Sequence, residues 1–428
     1  MIAIYTITSG LHDAAAVKAV SDEFLQSIFP NGGYELKGPD FSSFGQEADL
    51  NIIYIRTGGA EGIFKELLPD MLDAGVEFFT LLASGKSNSL AASLEILSYL
   101  KQNGLKGEVL HGSPEYISRR IANLDKVATT RATLSGSTIG IIGKPSDWLI
   151  SSTWDADVLL GQLGLSLVDI PMDDLLVEFG KAQGMLVPGP FFSGALPLKY
   201  PAAPDLPTSP LCGSVPVSAG RSGELRKNLP DAARIYQALK ALVDDRGLGA
   251  LTIRCFDLLT SVRNTGCYAL AKLNSEGIPS SCEGDVPALL SMMIARALTG
   301  RTGFQANPAS IDVETGEILF AHCTIPFDLV DEFNYDTHFE SGIGVGIHGH
   351  YPEGPVTVFK ISGSLDRAFI AEGELFRNQY EANLCRTQVW LRLAPADARY
   401  FLTNPIGNHH IIIPGHHGEL LHEFVNGI

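Results

Sequence analysis

Apolar and polar positions along the first third of the chain alternate between two repeating patterns. Short apolar runs, such as residues 2–7 and 76–83, are typical of buried strands. Each is followed by a segment in which apolar residues recur every three or four positions, as in a helix. Alternating strands and helices predict a parallel sheet covered on both faces. The pattern begins again at residues 138–143, which predicts α/β domains over residues 1–135 and 136–300.

From about residue 300 the pattern changes to short β-rich runs separated by Gly, Pro, Asp and Asn. Examples are residues 318–322, 356–361 and 387–393. Short strands at such spacing are typical of an antiparallel sandwich or barrel. We therefore predict an α/β protein in which two doubly wound parallel-sheet domains precede an antiparallel β-barrel domain over residues 301–428.

A proline-rich segment interrupts the second predicted domain. Nine of the chain's 24 prolines fall between Pro188 and Pro230. Proline fixes φ and has no backbone N–H, so regular helix or central strand is not expected here. Irregular segments of this length are usually functional loops or wrapping arms. We predict an irregular arm over residues 188–230, followed by a helix that begins after Asp231.

Composition narrows the possible partners. The formal net charge is −17, from 31 Lys and Arg against 48 Asp and Glu, so the surface repels a phosphate backbone and excludes nucleic acid as a partner. No apolar run approaches the roughly 20 residues of a membrane helix. The first residues lack a basic signal region, and the cysteines form no C-x-x-C pair. We expect a soluble, cytoplasmic protein with free thiols and no membrane contact.

Histidines are concentrated near the end of the chain. Nine of the 11 lie at or after position 322, and four of them fall in the segment Asn408-His-His-Ile-Ile-Ile-Pro-Gly-His-His417. Neutral imidazole is the commonest metal ligand, so this cluster indicates a metal site. The alternative is a polar loop with surface histidines. His322, at the end of a predicted strand, is on its own more typical of a core residue than of a ligand.

A second candidate segment is Ser281-Cys-Glu-Gly-Asp285, just before Pro287 and a predicted helix. Acidic residues near a helix N-terminus interact favourably with the helix dipole, which accounts for one of the two acids. Glu283 would lie at the crevice between a strand and a helix, where open α/β sheets bind ligands. Cys282 is a single thiol and does not by itself indicate zinc.

Taken in order, these segments resemble the L-fucose isomerase and L-arabinose isomerase family. The resemblance rests on four stretches: residues 280–285, 303–307, 320–323 and 408–416. It covers residues 250–428, and before that it is architectural only. It implies two N-terminal α/β domains and a C-terminal barrel, a divalent metal that is usually Mn²⁺ (or Mg²⁺), and a homo-oligomer such as a hexamer.

The resemblance also implies a set of metal ligands. Glu283 and His409 match the Glu and the C-terminal His that hold the metal in the family. His322 resembles the extra histidine ligand of the arabinose isomerases. Asn307 stands where the family has its second acidic ligand. An amide oxygen can still bind a metal, but an amide cannot act as a general base near neutral pH.

The activity implied is aldose–ketose isomerisation of a hexose, 6-deoxyhexose or pentose through an enediol. Glu283 would be the base, Asp285 a substitute acid or base, and Asn408 and Trp390 would contact the sugar. Two alternatives remain open. A metal-dependent lyase or aldolase on a sugar-like substrate needs only one base, which suits Asn307. A sugar-binding protein on the same scaffold would need neither metal nor turnover.

Overall fold

The coordinates are a computed structural model of the chain and describe residues 1–76, 78–182 and 219–427. The chain divides into two units, Met1–Ala132 and Thr133–Ile428, and each is considered by itself. Among the described residues, no helix combines the length and the apolar character needed to span a membrane.

The first unit is built on a five-stranded parallel sheet with strand order β2-β1-β3-β4-β5. Its elements are β1 (Ile2–Ile7), α1 (Ala14–Ile28), β2 (Tyr34–Gly38), β3 (Leu50–Ile55), α2 (Glu61–Asp73), β4 (Phe78–Ala83), α3 (Ser89–Gln102), β5 (Lys106–Leu110) and α4 (Pro114–Leu134). Neighbouring residues of β1 belong to different hydrophobic cores on the two faces of the sheet. Tyr5 is in the core that includes helices α2 and α3, and Ile4 is in the core that includes helices α1 and α4. Helices therefore cover both faces of the sheet, as the sequence pattern predicts.

The second unit begins with a four-stranded parallel sheet of order β7-β6-β8-β9. Its elements are β6 (Thr138–Ile142), α5 (Ala156–Leu163), β7 (Ser166–Ile170), α6 (Met172–Lys181), α7 (Ala219–Arg246), β8 (Ala250–Ile253), α8 (Asp257–Ser261), α9 (Cys267–Ser275), β9 (Ser280–Cys282) and α10 (Val286–Thr299). Strand β9 lies at the edge of this sheet and runs directly into the turn that precedes α10.

A closed antiparallel barrel, in the order β10-β11-β16-β15-β14-β17, completes the second unit. The remaining elements are β10 (Phe304–Asp312), β11 (Glu317–His322), a 3₁₀ turn (Phe327–Leu329), β12 (Glu332–Asp336), β13 (Gly346–His350), β14 (Gly354–Ile361), β15 (Ala368–Gln379), β16 (Thr387–Arg392), α11 (Pro395–Thr403), β17 (His410–Pro414) and α12 (Gly418–Asn426). Strands β12 and β13 form a separate hairpin. The predicted fold class, parallel sheets followed by an antiparallel barrel, is confirmed.

Helix α10 joins the parallel sheet to the barrel. It contacts β8 and β9 on one side and β14 and β17 on the other. Every residue from Val286 to Ala295 is buried. A helix that is apolar on all sides belongs in an interior. Because α10 is packed on both sides, the turn at its N-terminus is held between the end of β9 and the start of β17, which carries the histidine segment.

The prediction for the proline-rich segment is wrong at its C-terminal end. Helix α7 already begins at Ala219 and includes Pro230, whereas the sequence predicts irregular structure up to that proline. Proline removes one helical hydrogen bond, but Leu225 and Leu229 of the same stretch are buried in the barrel core. Their burial offsets the lost bond. Residues 183–218, most of the predicted arm, lie outside the described residues.

Replacing Pro230 by Ala is expected to stabilise the protein. The side chain is exposed, so little packing is lost, and the substitution restores an N–H inside α7. We expect a gain of about 1–3 kcal/mol in the free energy of unfolding, measured by urea denaturation. Pro30→Ala, at an exposed position outside the helices, is the control and should give no gain. A loss of stability in Pro230→Ala would contradict a continuous helix at this position.

Candidate active site

The turn between β9 and α10 gives Glu283 an unusual backbone. Its φ is 67°, in the left-handed region, and Gly284 follows with φ 75°. Three backbone hydrogen bonds fix the turn: Ser146 N–H donates to the carbonyl of Glu283 (2.8 Å), Gly284 N–H to that of Ile253 (3.0 Å) and Asp285 N–H to that of Cys282 (3.2 Å). A non-glycine residue in this region stores on the order of 1–3 kcal/mol of strain, which is typical of functional sites.

The carboxylate of Asp285 is completely buried and has partners at both oxygens. Oδ1 accepts the N–H of Ala288 (2.8 Å), which caps α10. Oδ2 lies 2.9 Å from Nδ1 of His409. Nζ of Lys360 approaches Oδ1 to 3.6 Å. Burial alone would raise the pKa of Asp285, but Lys360, His409 and the cap hold that pKa well below its usual range, so Asp285 is ionised.

His409 is oriented by this ionised carboxylate. Since Asp285 can only accept, Nδ1 of His409 carries the proton and Nε2 is directed elsewhere. Nε2 is buried, lies 3.6 Å from Oε1 of Glu283, and has no hydrogen-bond partner among the described residues. Burial alone would lower the pKa of His409, but Glu283 and Asp285 raise it to about 9. The pair of carboxylates thus favours a positive charge at Nε2.

The carboxylate of Glu283 itself stays ionised. Burial favours its neutral form, but the charge of His409 and the contact with that ring lower the pKa to about 2. Its second oxygen, Oε2, accepts a hydrogen bond of 2.6 Å from Nε1 of Trp148. This tryptophan is half exposed, so Glu283 lies where the buried cluster approaches solvent.

His322, at the end of β11, joins the same cluster. Its ring centroid lies 5.3 Å from that of His409, and its Nδ1 is 2.8 Å from Oγ1 of Thr324. Burial lowers the pKa of His322 to about 3, so the ring is neutral and can act as a ligand. Donor atoms of His322, Glu283 and Cys282 lie within 4.8 Å of one another.

Cys282 is the weak member of that group. Its Sγ lies 2.9 Å from Sγ of Cys255, and both thiols are buried and free. The contact with Cys255 and burial raise the pKa of Cys282 well above its usual value, so it remains a protonated thiol. A protonated thiol is a poor metal ligand. The structure therefore brings a histidine to Cys282 that sequence reasoning did not place there, without making the thiol a strong candidate.

Asn307 lies on β10 opposite Ala321 of β11. Its amide oxygen Oδ1 is buried without a hydrogen-bond partner among the described residues. Two residues earlier on the same face of the strand, Gln305 accepts the N–H of Cys282 through Oε1 (2.9 Å). This face of β10 is therefore turned towards the strand that leads into Glu283, and Asn307 offers a free acceptor there.

Other residues proposed from the sequence are not brought to this cluster. Trp390 pairs with Leu319, three residues before His322 along β11. Its indole N–H donates to Gln379 instead. Asn408 is exposed, next to His409 in the chain. Whether Asn408 contacts a sugar stays a prediction.

The other three histidines of the C-terminal segment have structural partners. His410 is buried among aromatic residues of the barrel, with Nε2 3.1 Å from the hydroxyl of Tyr400. His416 and His417 make contacts with backbone carbonyls through Nε2. The alternative of a polar loop with surface histidines fits His416, which is exposed, but not His410, which is buried. Within this segment the metal interpretation concerns His409 alone.

Sequence reasoning missed four residues around Glu283. Trp148 bonds to the carboxylate, and its ring packs edge-on against Phe256. Phe256 in turn contacts the ring of His338, in the loop between β12 and β13. Glu340 follows in that loop, and burial together with the charge of Glu283 raises its pKa. Nothing in the local sequence pattern marks these residues. Trp148, for example, contacts residues that lie more than 100 positions away along the chain.

The donor set fits a divalent cation. The carboxylate of Glu283 and the imidazoles of His322 and His409 are oxygen and nitrogen donors of the kind that first-row divalent metals accept. With neutral histidines, the charges of Glu283, Asp285 and Lys360 sum to −1, which a cation at Nε2 of His409 would offset. The unpartnered Nε2 of His409 is directed at this position.

Two groups of known proteins are similar to part of the chain. A stretch of 135 residues, 31% of the chain, is 36% identical to sulfoquinovose isomerase from Clostridium sp. (strain MSTE9) and covers 29% of that protein. A stretch of 178 residues, 40% of the chain, is 25% identical to the sulfoquinovose isomerases of Priestia aryabhattai and Priestia megaterium (strain ATCC 12872 / QMB1551). The match covers 40% of each Priestia protein, so less than half of any of these relatives is matched. No protein-family model matches the chain.

Gly284→Ala is expected to destabilise the protein and displace Glu283. A Cβ at Gly284 would lie 2.6 Å from Cα of Pro145, and the residue also has positive φ. We expect a loss of about 2–5 kcal/mol in the free energy of unfolding from the steric contact and the backbone together. Urea denaturation measures it.

Gly300→Ala is the matched control. Gly300 follows the last residue of α10, as Gly284 precedes its N-cap, and it also has a positive φ (79°), but the space around its Cβ position is open. It should lose only the backbone contribution, about 1–2 kcal/mol. Equal losses in the two variants would show that the close packing of the Glu283 turn against Pro145 is not a constraint.

Proposed function

We propose that this protein is a metal-dependent ketol isomerase that interconverts an aldose and a ketose. The observation that carries the proposal is the buried arrangement of Glu283 Oε1 3.6 Å from Nε2 of His409, with Asp285 bound behind the ring. The partial similarity to sulfoquinovose isomerases supports the same reaction class.

The metal would be Mn²⁺ or Mg²⁺, held by Glu283, His322 and His409, with the amide oxygen of Asn307 as a further neutral ligand. When bound, such a cation acts as a Lewis acid for two neighbouring sugar oxygens. Asp285 is too fully engaged to be a ligand. Its role in this proposal is to fix the tautomer and the direction of His409, as carboxylates behind metal-binding histidines do.

Proton transfer at carbon is assigned to Glu283. An aldose–ketose interconversion moves one proton between C1 and C2 and one between their oxygens, and a positioned carboxylate can take and return the first. Glu283 is ionised, lies at the solvent-facing edge of the cluster, and is held by Trp148. The fixed hydrogen bond to Oε2 leaves Oε1 on the side of His409.

The second proton carrier is not Asn307, because an amide does not titrate near neutral pH. Asp285, the substitute suggested by the sequence, has both oxygens occupied by Ala288, His409 and Lys360. Glu340 is a partly exposed carboxylate in the loop between β12 and β13, where the ring of His338 contacts Phe256 beside Trp148. Burial and the charge of Glu283 raise the pKa of Glu340. We propose Glu340 for proton transfer between the oxygens, with Asp285 as a positioning residue.

The substrate class remains that of the sequence prediction, a hexose, 6-deoxyhexose or pentose, and the relatives add sulfoquinovose to the sugars that should be assayed. The cytoplasmic location, the homo-oligomer and the contact of Asn408 with sugar stay predictions.

Glu283→Gln is expected to remove isomerase activity and leave the fold intact. Glutamine keeps the size of the side chain and an acceptor for Trp148, but it cannot take a proton. We expect kcat/KM to fall about 10²–10⁴-fold with Mn²⁺ present, assayed on sulfoquinovose and on a panel of aldoses and ketoses. Thermal unfolding should change little. Glu353→Gln, at an exposed position, is the control with the same change of charge. Full activity in Glu283→Gln would overturn the assignment.

Product analysis separates the proposal from its alternatives. Isomerisation preserves the mass of the sugar, whereas a lyase or aldolase yields fragments. The lyase is tested because it needs only one base, which agrees with an amide at Asn307. A sugar-binding protein would show ligand-induced stabilisation without turnover, and it would be indifferent to metal removal.

Asp285→Asn is expected to weaken metal binding with helix α10 retained. Asparagine is as good an N-cap as aspartate, so the cap survives, but the neutral amide no longer fixes the proton on Nδ1 of His409. We expect the affinity for Mn²⁺, measured by calorimetry, to fall about 10–100-fold. Asp155→Asn, which alters the N-cap of α5 in the same way, should bind Mn²⁺ like the unmodified protein. Unchanged affinity in Asp285→Asn would exclude the positioning role.

A further inference from the structure

A polar cavity separate from the cluster around Glu283 is lined by two residues that contact the Asp285 carboxylate, Lys360 and Ser152. Its volume is about 200 Å³, and it is formed by residues 151–153, by the end of β14 with the turn after it, and by residues 405–407. Neither Glu283, His322 nor His409 lines it. The cavity has room for a few waters or for one small polar molecule.

The side chain of Lys360 lines this cavity and is the least satisfied charge in it. It is 1% exposed, and its Nζ has no hydrogen-bond partner among the described residues. The nearest charged oxygen, Oδ1 of Asp285, is 3.6 Å away and already accepts the N–H of Ala288. An ammonium group has three hydrogens to donate, and leaving them unsatisfied in a buried position is costly. The lining therefore contains a buried donor without an acceptor.

The rest of the lining suits an anion. Hydroxyl groups come from Ser151 and Thr153, whereas Ser152 donates to Oδ2 of Asp285 (3.5 Å). The exposed Arg367 also lines the cavity, and its Nη2 donates to Asn404. The acid in the lining, Asp366, has its Oδ1 occupied by the hydroxyls of two serines of the same turn. With Lys360 and Arg367 against Asp366, the charged side chains of the lining sum to +1. A cation would be repelled by Lys360, and an apolar ligand would leave the hydroxyls and Nζ unsatisfied.

We propose that this cavity binds a small tetrahedral oxyanion, with Nζ of Lys360 as its main donor. Phosphate, sulfate and the phosphate or sulfonate group of a larger molecule share this chemistry. Lys360 and His409 contact different oxygens of Asp285. An anion bound to Lys360 would compete with Asp285 for the ammonium group, and the altered contacts of Asp285 would change the orientation of His409. The binding does not depend on isomerase activity and is tested without it.

Thermal unfolding of the full chain in millimolar sodium phosphate or sodium sulfate tests the site, with sodium chloride at equal ionic strength as reference. We expect a saturable rise in Tm with the oxyanions beyond that in chloride, because a ligand that binds only the folded state stabilises it. Lys360→Met should abolish this rise. Ser151→Asp places a carboxylate at an exposed position of the lining and should raise the apparent Kd at least about tenfold.

Gln162→Glu is the control for Ser151→Asp, since it adds the same charge at an exposed position on α5, outside the lining. It should respond to phosphate like the unmodified protein. Ser151→Asp also keeps the test decisive if Lys360→Met fails to fold. No rise beyond chloride for any oxyanion probe, or a rise that persists in full in Ser151→Asp, would show that the cavity holds only water.

Glucose 6-phosphate and glucose distinguish the source of the anion. Stabilisation by inorganic phosphate and by glucose 6-phosphate alike indicates a site for free anions. Stabilisation by glucose 6-phosphate alone, lost in Ser151→Asp and absent with glucose, indicates a site for the oxyanion group of a larger molecule. Both results support the proposal.

Discussion

The buried carboxylate of Asp285 connects three parts of the second unit that are distant in sequence. It caps α10 through Ala288, orients His409 near the end of the chain, and is the counter-charge of Lys360 on β14. A charge with no exposure is tolerated only when its oxygens are satisfied, so these partners must all be in place for α10 to pack between sheet and barrel. The geometry of the candidate site is a consequence of that requirement.

The turn at Glu283 shows the second constraint. Asp285 must cap the helix and β9 must remain in its sheet, which leaves two residues to reverse the chain. Both adopt positive φ, one of them a glycine pressed against Pro145 and the other the glutamate itself. Strain at a non-glycine residue is retained only where the surrounding packing imposes it. Here the strain directs Glu283 towards His409 and towards the indole of Trp148.

Charge gives the cluster its chemical character. Two ionised carboxylates face one imidazole, and their combined effect raises the pKa of His409 while burial keeps His322 neutral. Such an arrangement of charges favours a cation, and in the proposed reaction Glu283 accepts the proton from carbon. In the same proposal the amide of Asn307 cannot carry the second proton, so that role is assigned to Glu340, in the loop between β12 and β13. The same carboxylate, Asp285, extends the influence of the cluster to the polar cavity around Lys360.

The sequence by itself determined the order of the parallel sheets and the barrel, because the periods of apolar residues differ between helices and strands. The concentration of histidines and the acids before Pro287 marked the candidate segments, and the resemblance to the sugar isomerases selected Glu283, His322 and His409 within them. Pro230 misled the prediction of α7, as a local propensity was outweighed by the burial of Leu225 and Leu229. Only the tertiary structure decided that Asp285 orients His409 and that Trp148 donates a hydrogen bond to Glu283. Such contacts join residues 124 or 135 positions apart, and pairings over that distance are fixed by packing, which leaves no trace in local sequence.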